Sequence, residues 1–89
     1  MRKSKEEYWW NRLELLKSIQ RDGGNTAFSR ITKPYYSWGG QIKTLIEEFE
    51  KREIVEFVKD ATILKSYVTE KGERLIKVLS ELKEVWGER

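Results

Sequence analysis

Apolar positions recur along this chain in two rhythms, and the rhythm changes near its middle. Trp38, Ile42, Leu45, Ile46 and Phe49 follow one another at helical spacings. They share one face and predict a helix over residues 38 to 52. From Ile54 to Val68 the pattern shifts to alternation around a polar tip of Lys59, Asp60, Ala61 and Thr62, which predicts two short strands. Strict alternation turns Val55 and Phe57 inward and Glu56 outward. On the return strand it turns Leu64, Ser66 and Val68 inward, and Ile63, Lys65 and Tyr67 outward.

Helical patterns flank this centre. Ser4 and Glu7 have capping-box spacing and open a first helix over residues 5 to 21. Its apolar residues, Tyr8, Trp9, Trp10, Leu13, Leu15, Leu16 and Ile19, cover more than one narrow stripe. Asp22, Gly23, Gly24 and Asn25 stop it. A short second helix is expected over residues 26 to 32, capped by Asn25 or Thr26 and burying Phe28 and Ile31. Pro34 should hold Lys33 extended and close that helix. Ser37 is the expected N-cap of the third helix. Gly39 and Gly40 in its first turn cost about 1 kcal/mol each in propensity, so another backbone or a phosphate is expected to approach them closely. Thr69 caps a last helix over residues 70 to 87, which carries Leu75, Ile76, Val78, Leu79, Leu82, Val85 and Trp86. Three helices, a two-stranded ribbon and a final helix make a mostly helical α+β chain. The order is that of a winged helix-turn-helix, read as a single domain over residues 1 to 89.

Composition narrows the chemistry. The chain has 89 residues, so it buries only about 60–65 % of its unfolded surface and has little stability to spare as a monomer. It contains no cysteine and no histidine, which removes disulfides, thiolate metal sites and the usual general base. A carboxylate site from Glu47, Glu50 and Asp60 lacks complementary geometry, and Glu47, Glu48 and Glu50 read as a solvated helix face. Neither glycine pair has the spacing or the following lysine that a phosphate loop needs. A non-enzymatic protein without metal or cofactor is expected. No apolar run approaches the ~20 residues that cross a bilayer, so a cytoplasmic location is expected. Charged residues make up 37 % of the chain, a Lys/Glu-rich mix shared by proteins of hot environments and many mesophilic helical proteins. A net charge of +3 argues nothing about nucleic acid until its distribution is considered.

That distribution is uneven. Gly39, Gly40, Gln41, Lys43 and Thr44 lie opposite the apolar face of the third helix, and its amino-terminal third carries no acid. Recognition helices contact bases with this end. Gln41 suits adenine, Lys43 a guanine edge or phosphate, and Thr44 a phosphate or thymine methyl. Ser37, Tyr35 and Tyr36 precede the helix, Arg30 and Lys33 flank it, and Lys59 and Lys65 give the wing a positive side. Arg2, Lys3 and Lys5 form a basic arm over residues 1 to 5. Against this, Lys43 also fits a solvated helix lysine, the two tyrosines also fit a core, and Glu47 and Asp60 oppose phosphate. The wide apolar arcs on the terminal helices exceed one small core, so Tyr8, Trp9, Trp10, Val78, Leu82, Val85 and Trp86 are expected to form a homodimer interface. Double-stranded DNA is the expected partner, with a protein-interaction module as the alternative.

The runs SWGGQIKTLIEEFEKREIVEF and SYVTEKGERLI resemble winged-helix proteins widespread in archaea. The nearest likeness is to the small chromatin-type proteins of Sulfolobus and related transcription regulators. The resemblance covers residues 13 to 82. It implies a serine-capped recognition helix, a two-stranded wing, and an aromatic-x-Thr-x-x-Gly element, here Tyr67, Thr69 and Gly72, opening a dimerisation helix. It also implies a nucleoid-associated DNA-binding role. Two departures stand out: the third helix has no arginine before Arg52, and the last helix ends about four turns after Gly72. The first shifts expected binding toward phosphates, and the second shifts the expected dimer contact toward the first helix.

Overall fold

The computed structural model describes residues 5–87, with side chains from Trp9 onward. The basic-arm residues Arg2 and Lys3 and the capping residue Ser4 lie outside that range, as do the side chains of Lys5, Glu7 and Tyr8. Helix α1 spans Lys5–Asp22, α2 Phe28–Thr32, a 3-10 turn Lys33–Trp38, and α3 Gly40–Lys51. Strands β1 (Val55–Asp60) and β2 (Ile63–Val68) form one antiparallel ribbon, and α4 (Glu70–Trp86) ends the fold. Four helices and a two-stranded sheet packed among them make an α+β winged-helix-type arrangement.

The core forms around α1, which packs against α4, β2 and α2. Leu13, Leu15, Leu16 and Ile19 are all buried there, against Leu45, Phe49, Ile54, Val55, Ile76 and Leu79. The wide apolar arc of α1 is therefore largely absorbed by the protein's own interior, with Leu15 and Leu16 fully buried. The outer face of α4 is different: Val78, Leu82, Val85 and Trp86 are exposed.

The ribbon follows the alternation. Val55 pairs with Val68 and Phe57 with Ser66, all turned toward the core, while Glu56 opposite Tyr67 faces outward. Phe57 meets Phe28 of α2 edge-to-face at 4.9 Å, which seats the ribbon on that helix. Leu64 departs from expectation and is exposed, because the strands extend past the core. The tip is also tighter than the polar run suggests. Lys59 and Asp60 are paired strand residues, and Ala61 and Thr62 alone turn the chain, with Ala61 at φ 59.

Between α1 and α3 the local rules give way to packing. Helix α2 starts at Phe28 behind Ala27, with no side-chain cap from Asn25 or Thr26. Lys33 is helical, at φ −54 and ψ −44, although a proline follows. Pro34 sits in the first turn of the 3-10 segment, where a missing N–H costs nothing. Tyr35 explains why the winding continues. Its ring packs on Trp38 at 4.8 Å and its hydroxyl bonds the buried Ser18 hydroxyl. Trp38 thus belongs to the turn rather than to α3, and Ser37 is not the cap. The N-cap is Gly39, at φ 64 and ψ −138, a conformation open in practice only to glycine.

The entry to α4 is as expected and tightly tied. Thr69 Oγ1 accepts from the Gly72 amide at 3.1 Å, and its hydroxyl lies 2.7 Å from the Glu53 carbonyl. Lys71 Nζ donates to the Arg52 carbonyl at 2.9 Å. A side chain at Gly72 would meet the Ile54 carbonyl oxygen and a Val68 methyl, so glycine is required for this approach. Helix α3 closes just before, where Ile54 N–H donates to the Phe49 carbonyl at 2.8 Å across Glu53 in the left-handed region.

Two substitutions should move stability in opposite directions. Gly72→Ala should destabilise by about 2–3 kcal/mol, lowering the melting temperature by about 10 °C or more. Glu53→Gly should stabilise by about 0.5–1 kcal/mol by relieving the left-handed backbone. Thermal melts followed by circular dichroism read both.

Candidate nucleic-acid interface

The amino-terminal end of α3 is open. Ser37, Gly39, Gly40, Lys43 and Thr44 are exposed, and a side chain built at Gly39 or Gly40 meets nothing within 4 Å. No part of the described protein therefore explains why Gly40 is glycine. The first turn carries no acid, and its free N–H groups and dipole favour an anion. Thr44 Oγ1 donates back to the Gly40 carbonyl at 3.3 Å and leaves its lone pairs outward.

Tyr36, 62 % exposed, stands three residues before the N-cap, and its carbonyl accepts from the Gly39 amide. Tyr36 also lines a shallow groove with Ser29 and Thr32 of the α2 side and Thr62, Ile63 and Leu64 of the ribbon tip. Tyr36 thus joins the ribbon tip to the turn that leads into α3. Arg30 and Lys33, both exposed, come from the adjoining α2 and turn. Lys59 is exposed on β1.

Three expected contacts are placed otherwise. Tyr35 is 9 % exposed and its hydroxyl is taken by Ser18, so it supports the turn from within. Gln41 is half-buried, and its Oε1 accepts from Asn11 Nδ2 at 2.9 Å. Lys65 Nζ lies 3.2 Å from Asp60 Oδ2, which offsets much of its charge on the outer wing face. The amide of Asn11 and the carboxylate of Asp60 supply what a DNA base or phosphate was expected to supply.

A further contact aims α3 and escaped the sequence reading. Arg12 is 2 % exposed, and its guanidinium forks onto Glu48, at 3.1 Å from Nε and 2.6 Å from Nη2. It also lies 5.3 Å from the Trp9 ring centroid. Glu48 was expected on a solvated face, yet its side chain is only 25 % exposed and spans to Arg12, with Arg52 3.9 Å away. The signal was present on α1, where Arg12 interrupts the apolar spacing of Trp9, Leu13 and Leu16.

The expected interface residues of the terminal helices divide. Val85 is 83 % exposed, and Trp86, Val78, Leu82 and Trp9 are exposed as well. Trp10 is half-buried, with Lys83 Nζ 5.8 Å from its ring centroid. Among the described residues no group of three or more Asp or Glu side chains could hold a metal ion, and no helix is long and apolar enough to cross a membrane. No family model, no curated protein and no solved structure matches the chain.

Removing one half of the buried pair should cost more than removing both. Glu48→Met removes the carboxylate that the Arg12 fork grips and should destabilise by about 2–3 kcal/mol, below the fully buried case because Glu48 is partly solvated. Arg12→Met combined with Glu48→Met should lie closer to the parent. Urea unfolding of Arg12→Met, Glu48→Met and the double gives the coupling.

Proposed function

We propose that this protein binds double-stranded DNA as a homodimer, with the amino-terminal half of α3 in the major groove and the ribbon along the neighbouring backbone. The observation that carries this reading is the open, acid-free start of α3, where Gly39 and Gly40 leave the backbone accessible beside Lys43 and Thr44. Phosphate can reach the helix N-terminus there without displacing any side chain. Ser37, Tyr36, Arg30 and Lys33 extend the surface along the preceding turn, and Lys59 serves the wing. Lys65 contributes less, because Asp60 shares its charge. With Gln41 held by Asn11, Lys43 and Thr44 are the remaining base-facing groups of that turn. Affinity then rests mainly on the phosphate backbone. A transcription regulator or an architectural factor of the nucleoid both fit that balance, and the archaeal likeness of the sequence agrees with either.

The proposed dimer contact is the outer face of α4, through Val78, Leu82, Val85 and Trp86, with Trp9 and Trp10 of α1; Tyr8, expected to join them, has its side chain outside the described residues. A stripe of this kind on a small domain is the usual mark of an interface. Pairing would add stability that a chain of this length gains only modestly from its own core.

One observation favours a second reading, a winged-helix protein-interaction module. Val58, Ile63, Leu64 and Tyr67 leave the ribbon partly apolar, which suits a protein surface better than a phosphate backbone.

Titration with a duplex of about 20 base pairs decides between them. Affinity should fall with salt by about 0.9 log–log units for each phosphate neutralised. Lys43→Ala should weaken binding and reduce that slope by about one. Gly40→Ala should do something a structural role would not: raise the melting temperature, by about 0.5–1 kcal/mol of helix propensity, while weakening DNA binding. A flat salt response, or no binding at low salt, would instead leave the module reading standing.

The dimer has its own test. Val85→Glu combined with Trp86→Ala should give a folded monomer by sedimentation, with DNA affinity reduced about tenfold or more through lost bivalency. A parent chain that sediments as a monomer at high concentration would overturn the assignment.

A further inference from the structure

A second concave feature lies on another side of α3. A groove of about 650 Å³ opens between the start of α1, the last turns of α3 and the first turns of α4. Its floor is apolar, formed by Trp9, Phe49, Ile54, Leu75 and Val78. Its polar lining among the described residues is lopsided: Arg12, Arg52, Lys71 and Arg74 against one carboxylate, Glu48. Glu48 is already gripped by the Arg12 fork, which leaves the groove strongly electropositive. The cations also converge from different elements. Arg52 ends α3, while Lys71 and Arg74 belong to the first turns of α4, and the Lys71 bond to the Arg52 carbonyl holds the two helices together.

We propose that this groove binds a small amphipathic carboxylate, with an aliphatic or aromatic body on the Trp9–Phe49–Leu75 floor and its head between Arg52, Lys71 and Arg74. The size is that of small-ligand sites, and guanidinium forks match carboxylate geometry. A second copy of the chain is the less suitable occupant. Of the residues assigned to a dimer, Trp9 and Val78 border the groove, whereas Leu82, Val85 and Trp86 lie outside its lining. The inference is independent of DNA binding. If both hold, the ligand touches Glu48, Phe49 and Arg52 on the same helix whose other end faces DNA, as an effector would.

Calorimetric titration of the full chain with sodium decanoate, without DNA, tests the proposal. Decanol and decyltrimethylammonium serve as matched neutral and cationic probes. One decanoate per chain should bind saturably, and both control probes should bind at least about tenfold more weakly. Arg74→Glu, at an exposed position, should weaken decanoate by about tenfold with an unchanged circular dichroism spectrum. Leu75→Ala should weaken decanoate through the floor. No saturable binding at millimolar decanoate would overturn the proposal, as would equal binding of all three probes. So would decanoate binding that occurs only as a dimer dissociates, since that would assign the groove to a second copy. None of these outcomes bears on the duplex titration.

Discussion

The placement of α3 depends on a charge buried between two helices. Packing against β1 and the 3-10 turn holds α3 along its apolar face, Leu45 and Phe49 share the core with α1, and polar side chains add a directional link to that helix. Arg12 grips Glu48, and Asn11 donates to Gln41 two helical turns nearer the amino end. Taking a guanidinium out of water costs several kcal/mol unless the partner geometry is excellent. The Arg12 fork meets that condition with two bonds, one of them short, and an aromatic ring beside it. An apolar pair of equal volume would give comparable stability but would tolerate sliding. A forked ion pair does not, so its contribution is to the orientation of α3 more than to the strength of the fold.

That orientation matters because the two ends of α3 have different surroundings. The carboxyl end is tied down: Glu53 turns the chain, Thr69 and Lys71 bond the carbonyls of Glu53 and Arg52, and Gly72 lets α4 approach Ile54. The amino end is left bare, with glycines where a capping side chain would stabilise the helix. The chain thus forgoes roughly 1 kcal/mol or more of local stability at the one end that faces solvent beside the wing. A helix anchored at one end and open at the other is suited to presenting its dipole and its first side chains to an anionic partner.

Much of this was legible in the sequence, and the gaps have physical causes. Thr69 was readable as a cap because an N-cap is a local motif, and Val55, Phe57 and Ser66 were readable as inward because a pleated strand alternates. The region around Pro34 was not. Local preference there argued for an extended Lys33 and a capping Ser37, but the burial of Tyr35 against Ser18 and Trp38 outweighed both. Gln41 and Glu48 were misjudged for a related reason. Their partners lie 30 and 36 residues away, and nothing near either residue reports a distant donor. The apolar surplus divides: Leu13, Leu15, Leu16 and Ile19 of α1 enter a core that surrounds this helix on several sides, whereas Trp9 and the α4 residues Val78, Leu82, Val85 and Trp86 stay exposed.

The central claim is that the bare start of α3 and the adjoining wing form the DNA-facing surface. Amide chemical-shift mapping by heteronuclear NMR, on the full chain titrated with a short duplex, tests it most directly. The account predicts that the largest shifts fall at residues 36 to 44 and near the wing tip, with α4 little affected. Shifts centred on the outer face of α4 or on the cationic groove, with residues 36 to 44 unmoved, would contradict it.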